Sequence, residues 1–263
     1  MDAIAVAQFA PGADRDANLA AIRELATTAV ARGASLVVFP EYSSYFTPTM
    51  GDDWIVAAEE LDGPFATSLA AIASEVGATV VAGMLERSGA KASNTVIAVA
   101  ADGTRLAAYR KLHLYDAFGA RESDFIEAGA LEGFETFPWG GFTVGIQTCY
   151  DIRFPEVTRA LVDAGVDLVL VPAEWVRGPL KEHHWRTLLT ARAIENTVYV
   201  AAADHAPPIG AGNSMVLDPM GVELVTIGDT HGLAIAWPDP ERLAEVRASN
   251  PALRLRRFGV APV

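Results

Sequence analysis

Residues 142–171 read FTVGIQTCYDIRFPEVTRALVDAGVDLVLV. The first part, residues 142–148, is apolar and rich in Val, Ile and Thr, which is typical of a buried strand. Pro155 suits the first turn of a helix, which we predict to continue to Ala164. A second strand is predicted at 167–171. This stretch is therefore a strand-helix-strand unit, and it indicates an α/β fold.

The same alternation of strands and helices extends along the chain, but hairpin signals interrupt it. Asp102-Gly103 joins two predicted strands, so we expect a partly antiparallel sheet. This mixture predicts two packed sheets with helices on their outer faces, an α/β/β/α sandwich; a single doubly wound sheet is the alternative. The predicted strands are 3–9, 35–39, 79–85, 95–100, 104–109, 134–137, 142–148, 167–171, 198–203, 214–217, 222–226 and 231–237, and the predicted helices are 18–32, 63–76, 155–164, 180–196 and about 240–248.

Domain organisation follows from the lack of any dividing segment. No linker, low-complexity stretch or charge block interrupts the sequence, so we predict one domain over residues 1–263. A Pro-bearing tail, about residues 249–263, follows the last predicted helix and has no obvious core to fill. We expect this tail to lie at a subunit interface.

Composition excludes several functional classes. The 263 residues carry a formal net charge of −13, which repels phosphate backbones and argues against a nucleic-acid partner. No apolar run reaches the roughly 20 residues of a membrane span, so no membrane partner is expected. Asp2 stands where a signal peptide needs positive charge, and the single Cys fits a reducing compartment. We therefore expect a cytoplasmic protein.

The single cysteine, Cys149, follows the predicted strand 142–148 and precedes the predicted helix. A sharp strand-to-helix connection can expose a nucleophile, and backbone N–H groups near a helix start can lower the pKa of a thiol. The alternative is an inert buried cysteine. The surroundings of Cys149 must decide between these interpretations.

Two further charged residues also follow predicted strands. Glu41 comes after the strand 35–39, and Lys111 comes after the strand 104–109 and begins a long loop, residues 112–133. Ligands gather at the carboxyl ends of strands in open α/β sheets, and a long loop in a compact domain is often functional. Each residue taken alone could equally be a solvated surface charge.

Together, Glu41, Lys111 and Cys149 resemble the catalytic triad of the nitrilase superfamily of carbon-nitrogen hydrolases. The resemblance runs from Ala3 to about Gly232, and this family has the expected sandwich fold. The matching motifs, in the order of the family, are Phe39-Pro40-Glu41-Tyr42, Arg110-Lys111-Leu112-His113-Leu114, Cys149-Tyr150-Asp151-Ile152-Arg153-Phe154-Pro155-Glu156, Arg192-Ala193-Ile194-Glu195-Asn196, Gly212-Asn213-Ser214 and Asp218-Pro219-Met220-Gly221.

The resemblance implies a role for each residue. Cys149 would be the nucleophile, Glu41 the general base, and Lys111 with the backbone N–H of Tyr150 the oxyanion site. A second acidic residue is implied after the lysine motif; Glu122 is the better match and Glu127 the alternative. The resemblance implies no cofactor. It does imply a homodimer or higher homo-oligomer.

Aromatic residues in loops after predicted strands are candidates for the substrate pocket, although such residues also fill cores. Arg153 could bind a substrate carboxylate, but we prefer a structural role in which it pairs with Asp151 or Glu156. Adjacent His183 and His184 lie on different helix faces, so no metal site is predicted. The aromatic candidates are Tyr42, Tyr45, Phe46, Tyr115, Phe118 and Trp175, with Tyr150 beside the nucleophile.

The sequence thus favours hydrolysis of a small aliphatic amide to a carboxylate and ammonia through a cysteine thioester. Cys149-Tyr150-Asp151 resembles the amidase branches of the family, including omega-amidases, more than the branch in which Trp and Glu follow the nucleophile. Hydrolysis of a nitrile or of an N-carbamoyl amide by the same triad is an alternative. A non-catalytic binding protein that keeps the fold is another.

Overall fold

In this computed structural model, the structure describes residues 2–131 and 133–262, which contain thirteen strands and six α-helices. The strands are β1 Ala3–Gln8, β2 Ala34–Val38, β3 Thr79–Ser88, β4 Lys91–Val99, β5 Arg105–Arg110, β6 Ile126–Glu127, β7 Phe137–Trp139, β8 Phe142–Ile146, β9 Leu168–Ala173, β10 Tyr199–Asp204, β11 Met215–Leu217, β12 Glu223–Thr226 and β13 Gly232–Ala236. The helices are α1 Arg15–Ala31, α2 Asp52–Ala57, α3 Pro64–Val76, α4 Pro155–Asp163, α5 Lys181–Asn196 and α6 Pro240–Ser249.

The strands form two mixed sheets. The first has the order β13-β1-β2-β3-β4-β5, with β6 also paired to β4, and the second has the order β12-β11-β10-β9-β8-β7. Central pairs are parallel, for example β8 with β9, where Val144 lies opposite Leu168. The hairpin β4-β5 is antiparallel, as the Asp102-Gly103 signal predicts.

Apolar side chains pack in three layers around these sheets. The inner faces of both sheets meet in one buried cluster, which includes Val38 of the first sheet and Leu170 of the second. Helices α1 and α3 cover the outer face of the first sheet, and α4 and α5 cover that of the second. The predicted α/β/β/α sandwich is therefore confirmed, and the single doubly wound sheet is excluded.

The unit from β8 to β9 folds as its sequence predicts, since Pro155 occupies the first turn of α4. The strand predicted at 134–137 is wrong. The actual strand is Phe137–Trp139, because the turn is the pair Gly140-Gly141, both with positive φ, and the pairing extends through Pro138. Pro138 is tolerated because β7 is an edge strand.

The short helix α2 is absent from the predicted elements. Its six residues give too short a pattern for helical periodicity, and the element is fixed by Trp54, which is fully buried against Tyr42 and Phe46. Among the described residues, no helix is long and apolar enough to cross a membrane.

Residues after α6 run along the surface. A 3-10 helix, Ala252–Leu255, interrupts the tail, and the Phe258 side chain is 90% exposed. The position of the tail at a subunit interface stays a prediction, as does the single domain, and Val263 lies outside the described residues.

Gly83 of β3 sets the path of the segment that carries Glu41. Its N–H donates to the Pro40 carbonyl at 3.1 Å, and its carbonyl accepts from the N–H of Ser44 at 3.1 Å. A Cβ atom added at Gly83 would lie 2.5 Å from the Tyr42 nitrogen and 2.7 Å from the Cα atom of Glu41. Only glycine allows the turn after β2 to lie this close to β3.

We expect Gly83→Ala to destabilise the protein by about 1–3 kcal/mol, the usual cost of overpacking, and to displace Glu41. Urea denaturation measures this loss. Gly12→Ala is the control, because a Cβ atom there meets nothing within 4 Å, and its effect should stay within about 0.5 kcal/mol. Equal effects of the two substitutions would refute this role of Gly83.

Candidate active site

Four residues predicted from the sequence meet at the carboxyl ends of strands from both sheets. Glu41 follows β2 and Lys111 follows β5 in the first sheet, whereas Cys149 follows β8 in the second. Glu122 comes from a 3-10 helix in the loop after β5. All four side chains are buried, each 5% exposed or less.

The Lys111 ammonium group lies between two carboxylates. Its Nζ atom donates to Oε1 of Glu41 at 2.9 Å and to the two carboxylate oxygens of Glu122 at 3.1 and 2.9 Å. The side-chain amide of Asn94 on β4 also donates to Glu41 and to Glu122. Asn94 thus joins the two carboxylates through the same Oε1 atoms that Lys111 contacts, and it holds their spacing.

Glu122 has two further donors. The Tyr42 hydroxyl donates to Oε1 and the backbone N–H of Tyr115 donates to Oε2. The alternative, Glu127, is exposed on β6 and accepts a hydrogen bond from the Ser88 hydroxyl. The structure thus brings Glu122, and not Glu127, to Lys111.

Cys149 begins a 3-10 helix, Cys149–Arg153, and has φ +47°, in the left-handed region that few non-glycine residues adopt. Asp151 holds this turn. Its buried carboxylate accepts from the backbone N–H of Thr148 at 3.1 Å and from the Tyr109 hydroxyl at 2.7 Å. His113 adds its backbone N–H, at 2.9 Å. The sharp connection expected at Cys149 is therefore a 3-10 helix braced from the first sheet.

The backbone of Glu174, just after β9, links the thiol to Glu41. The thiol of Cys149 donates to the Glu174 carbonyl at 3.5 Å, and the N–H of Glu174 donates to Oε2 of Glu41 at 2.6 Å. The Glu174 side chain lies close to Glu41 and Lys111, and its Oε1 atom is buried without a hydrogen-bond partner among the described residues. Burial, with Glu41 as the next cause, raises the pKa of Glu174 well above its ordinary value.

The electrostatics of the thiol differ from the sequence expectation. Burial raises the pKa of Cys149 well above its ordinary value, Glu41 adds to this rise, and Lys111 opposes it. A lowered pKa was expected from the helix start, but desolvation and the nearby carboxylate dominate. For Lys111, burial lowers the pKa, but Glu122 and Glu41 outweigh it, so the pKa lies well above its ordinary value.

His205 supports Glu41 from behind. Its Nε2 atom lies 2.7 Å from the Glu41 carbonyl, and burial lowers the pKa of His205 to about 4. The ring packs edge-on against Phe46. A neutral His205 can donate to that carbonyl and fix the backbone of Glu41.

The aromatic candidates separate into two groups. Tyr42, Tyr45 and Phe46 pack around Trp54, so they form a small core beside the site. The second group, defined here as the aromatic wall, surrounds the side chains of Arg153 and Lys181 near Cys149. The aromatic wall consists of Tyr115, Phe118, Tyr150 and Trp175.

Arg153 does not have the structural role preferred from the sequence. Within the described residues it pairs with neither Asp151 nor Glu156, because Asp151 is engaged by the turn around Cys149. Its guanidinium lies 4.7 Å from the centre of the Trp175 ring, and one nitrogen lies 3.4 Å from Nδ1 of His184. The Arg153 side chain therefore packs against the aromatic wall.

Sequence reasoning misses Asn94, Glu174, Lys181 and His205. Asn94 lies within a strand, and nothing in its local pattern distinguishes it. Glu174 follows β9, so the rule that found Glu41 could have found it as well. In residues 2–131 and 133–262, no group of three His, Cys, Asp or Glu side chains is arranged to hold a metal ion.

Comparison with known proteins identifies relatives over nearly the whole chain. The family model described as carbon-nitrogen hydrolase matches residues 3–248. The deaminated glutathione amidase of Escherichia coli O157:H7 is 37% identical, with 97% of each chain covered. The omega-amidase of Mus musculus is 31% identical, over 97% of this chain and 94% of that one.

A solved structure is also similar to this chain. It is a variant of the amidase from Nesterenkonia sp. AN1, with acrylamide joined by Michael addition at the active-site cysteine of that enzyme. The TM-score is 0.78 at 27% identity, and the match covers 97% of this chain and all of that chain.

We expect the charges of Glu41 and Lys111 to have opposite effects on the rate at which iodoacetamide alkylates Cys149. Removing the negative charge in Glu41→Gln lowers the thiol pKa and speeds alkylation below that pKa, about tenfold for each unit of pKa. Lys111→Met raises the pKa and slows alkylation. Mass spectrometry over a pH series measures both rates, because the chain has one Cys.

Glu127→Gln is the matched control, since it removes an exposed glutamate on β6, shortly after Glu122 in the chain, and should leave the rate unchanged. Slower alkylation in Glu41→Gln would contradict the electrostatic assignment.

Proposed function

The chain belongs to the carbon-nitrogen hydrolase family, and on that premise we propose that it hydrolyses a small aliphatic amide to a carboxylate and ammonia through a thioester on Cys149. Its relatives include an amidase for deaminated glutathione and an omega-amidase, which supports amide hydrolysis as its reaction. One observation carries the proposal: a thiol, two carboxylates and an ammonium group are buried together at the junction of the two sheets.

Activation of the thiol requires a proton acceptor, because the neutral form prevails when the pKa is raised. We assign this role to Glu41, which the backbone N–H and carbonyl of Glu174 connect to the thiol. The Cys149 sulfur attacks the amide carbon, and Glu41 accepts the thiol proton. Glu41 then passes that proton to the departing nitrogen as the C–N bond breaks. In the second half, Glu41 takes a proton from water, and the water oxygen attacks the thioester carbon. The C–S bond then breaks, Glu41 returns the proton to the Cys149 sulfur, and the acid product leaves as a carboxylate.

The negative oxygen of each tetrahedral intermediate requires positive charge nearby. Lys111 is charged, and we propose that it stabilises this oxygen together with the backbone N–H of Tyr150. Glu122 would keep Lys111 in place, since it holds the ammonium group through both carboxylate oxygens. Glu122 accordingly acts on Lys111, and Glu41 acts on the thiol.

There are two alternatives. Hydrolysis of a nitrile or N-carbamoyl compound would use the same four residues, whereas a non-catalytic binding protein would use none of them for chemistry. Nitrile or N-carbamoyl hydrolysis needs the same nucleophile, but the relatives reported above are named for amides. A non-catalytic binding protein would not need a buried ammonium between two carboxylates, which is costly to keep.

We expect the wild type to release ammonia from small amides faster than from nitriles or N-carbamoyl compounds, and Cys149→Ala to lose this activity by roughly a thousandfold or more. With a slowly hydrolysed amide, mass spectrometry should show the acyl group on Cys149.

Circular dichroism of Cys149→Ala controls for folding. An acyl adduct on another residue, or retained turnover in this variant, would disprove the nucleophile. Faster release from nitriles would instead favour the alternative substrate class.

We also propose a cytoplasmic homodimer or larger homo-oligomer in which the tail, residues 249–263, contributes to the interface. Apolar side chains of the tail support this, because Leu255 and Phe258 are 71% and 90% exposed. Phe258→Asp should therefore shift the protein toward a 27.9 kDa monomer in light scattering. Val56→Asp is the control, since Val56 is 80% exposed but lies outside the tail. If Phe258→Asp has the same mass in solution as the wild type, the tail does not contribute to the interface.

A further inference from the structure

A third glutamate lies beside the two that contact Lys111, and the mechanism proposed above does not use its side chain. Glu174 takes part in none of the ion pairs formed within residues 2–131 and 133–262. Its Oε1 atom is buried and has no hydrogen-bond partner among those residues. Buried polar atoms without a partner are rare in folded proteins, and a bound water or a catalytic role is the usual explanation.

The alternation of side chains at the end of β9 places this carboxyl group between the two sheets. Its two neighbours, Ala173 and Trp175, both belong to the buried cluster between the second sheet and helices α4 and α5. Successive side chains of an extended segment point to opposite faces. The side chain of Glu174 therefore points to the inner face, toward the strand ends that carry Glu41 and Lys111.

Glu174 has no cation of its own among the described residues. The Lys111 Nζ atom contacts three carboxylate oxygens, one of Glu41 and two of Glu122, which accounts for its three N–H donors. Burial and the charge of Glu41 raise the pKa of Glu174 well above its ordinary value. A buried carboxyl group without a paired cation takes up a proton rather than staying charged. Glu174 can therefore accept a hydrogen bond without acting as a base.

The backbone of Glu174 marks the oxygen of Glu41 that is open to a proton. Within the described residues, Oε1 of Glu41 accepts from Lys111 and from Asn94, whereas Oε2 accepts from the N–H of Glu174 alone, at 2.6 Å. Each carboxylate oxygen has two lone pairs, so the free lone pair of Glu41 is on Oε2. A proton from the Cys149 thiol or from water therefore reaches Glu41 beside Glu174.

Hydrolysis of the thioester requires a water with a defined orientation. One proton of this water goes to Glu41, and a lone pair of its oxygen attacks the thioester carbon. The second proton needs an acceptor, since a buried water makes about three hydrogen bonds. Glu174 offers that acceptor, because its N–H holds Oε2 of Glu41, its carbonyl accepts from the Cys149 thiol at 3.5 Å, and its Oε1 atom is unpartnered among the described residues.

We propose that Glu174 is a further catalytic residue, whose Oε1 atom binds the water that hydrolyses the thioester on Cys149. This inference rests on the proposed function and concerns its second half. The new C–O bond forms as Glu41 takes the first proton of the water, which it later returns to the sulfur. The second proton stays on the attacking oxygen, hydrogen-bonded to Glu174, until the C–S bond breaks. It leaves with the acid product, which loses it to solvent and becomes the carboxylate.

The test separates formation of the thioester from its hydrolysis. p-Nitrophenyl acetate acylates a reactive cysteine without cleavage of an amide. The initial burst of nitrophenol measures this acylation, and the steady rate that follows measures hydrolysis of the thioester. Glu174→Leu fills the same space but removes the acceptor, whereas Glu174→Gln is neutral and keeps an acceptor oxygen.

In Glu174→Leu the burst should keep its rate, and the steady rate should fall roughly tenfold to hundredfold, the effect of one hydrogen bond lost in a buried site. Mass spectrometry should then find the acetyl group on Cys149 in most of the protein. Glu174→Gln should stay within about threefold of the wild type in both rates. Glu127→Leu is the control, since it removes an exposed glutamate on β6 and should change neither rate.

A steady rate in Glu174→Leu equal to that of the wild type, or equal slowing of the burst and the steady rate, would overturn the proposal. If Glu174→Gln is as slow as Glu174→Leu, a charged Glu174 is required and the proposal is wrong. Circular dichroism shows whether Glu174→Leu folds; if it does not, Glu174→Met gives the same comparison with a more flexible side chain.

Failure of this proposal and failure of the proposed function have different signatures. Ammonia release by the wild type tests amide hydrolysis, whereas the ester tests Glu174 even if no amide is hydrolysed. Amide hydrolysis by the wild type, together with an unchanged steady rate in Glu174→Leu, would keep the function and refute the role of Glu174. A wild type that gains no acetyl group on Cys149 would contradict both.

Discussion

The buried ammonium group of Lys111 between Glu41 and Glu122 is the interaction on which the rest of the site depends. Desolvation of three charged groups is expensive, and their attraction offsets it only when the geometry and the added hydrogen bonds are good. Asn94, Tyr42 and the N–H of Tyr115 supply those hydrogen bonds. Removing one partner of a buried ion pair costs about 3–5 kcal/mol, so the arrangement tolerates little movement.

Both sheets are needed to hold this arrangement against the thiol. The first sheet carries Glu41 and Lys111, and the second carries Cys149 and Glu174. Their relative positions are therefore set by the packing of the two inner faces, which is dense and apolar. Asp151 reinforces the junction, because its carboxylate accepts from Tyr109 of the first sheet while it braces the turn around Cys149.

Sequence periodicity predicts most strands and helices because burial repeats along each element. It fails at β7, where Pro138 hides a strand, and at α2, which is too short to show a period. Strand ends and family motifs indicate Glu41, Lys111, Glu122 and Cys149. The role of Asn94 and the contacts of Arg153 with Trp175 and His184 depend on segments distant in sequence, which local sequence does not encode.

Contacts between distant segments also explain why the pKa of the Cys149 thiol is raised. A helix start acts locally and favours the thiolate, but burial and Glu41 act through space and favour the neutral thiol. A neutral thiol beside a carboxylate is a weak nucleophile in the free protein, since the negative charge of the thiolate would have to form next to Glu41. In the reaction proposed above, the thiol becomes a nucleophile when its proton moves to Glu41, because that transfer removes the repelling charge as the sulfur gains its own. In that proposed reaction nucleophile and base are activated together, and Lys111 keeps the positive charge that both states require.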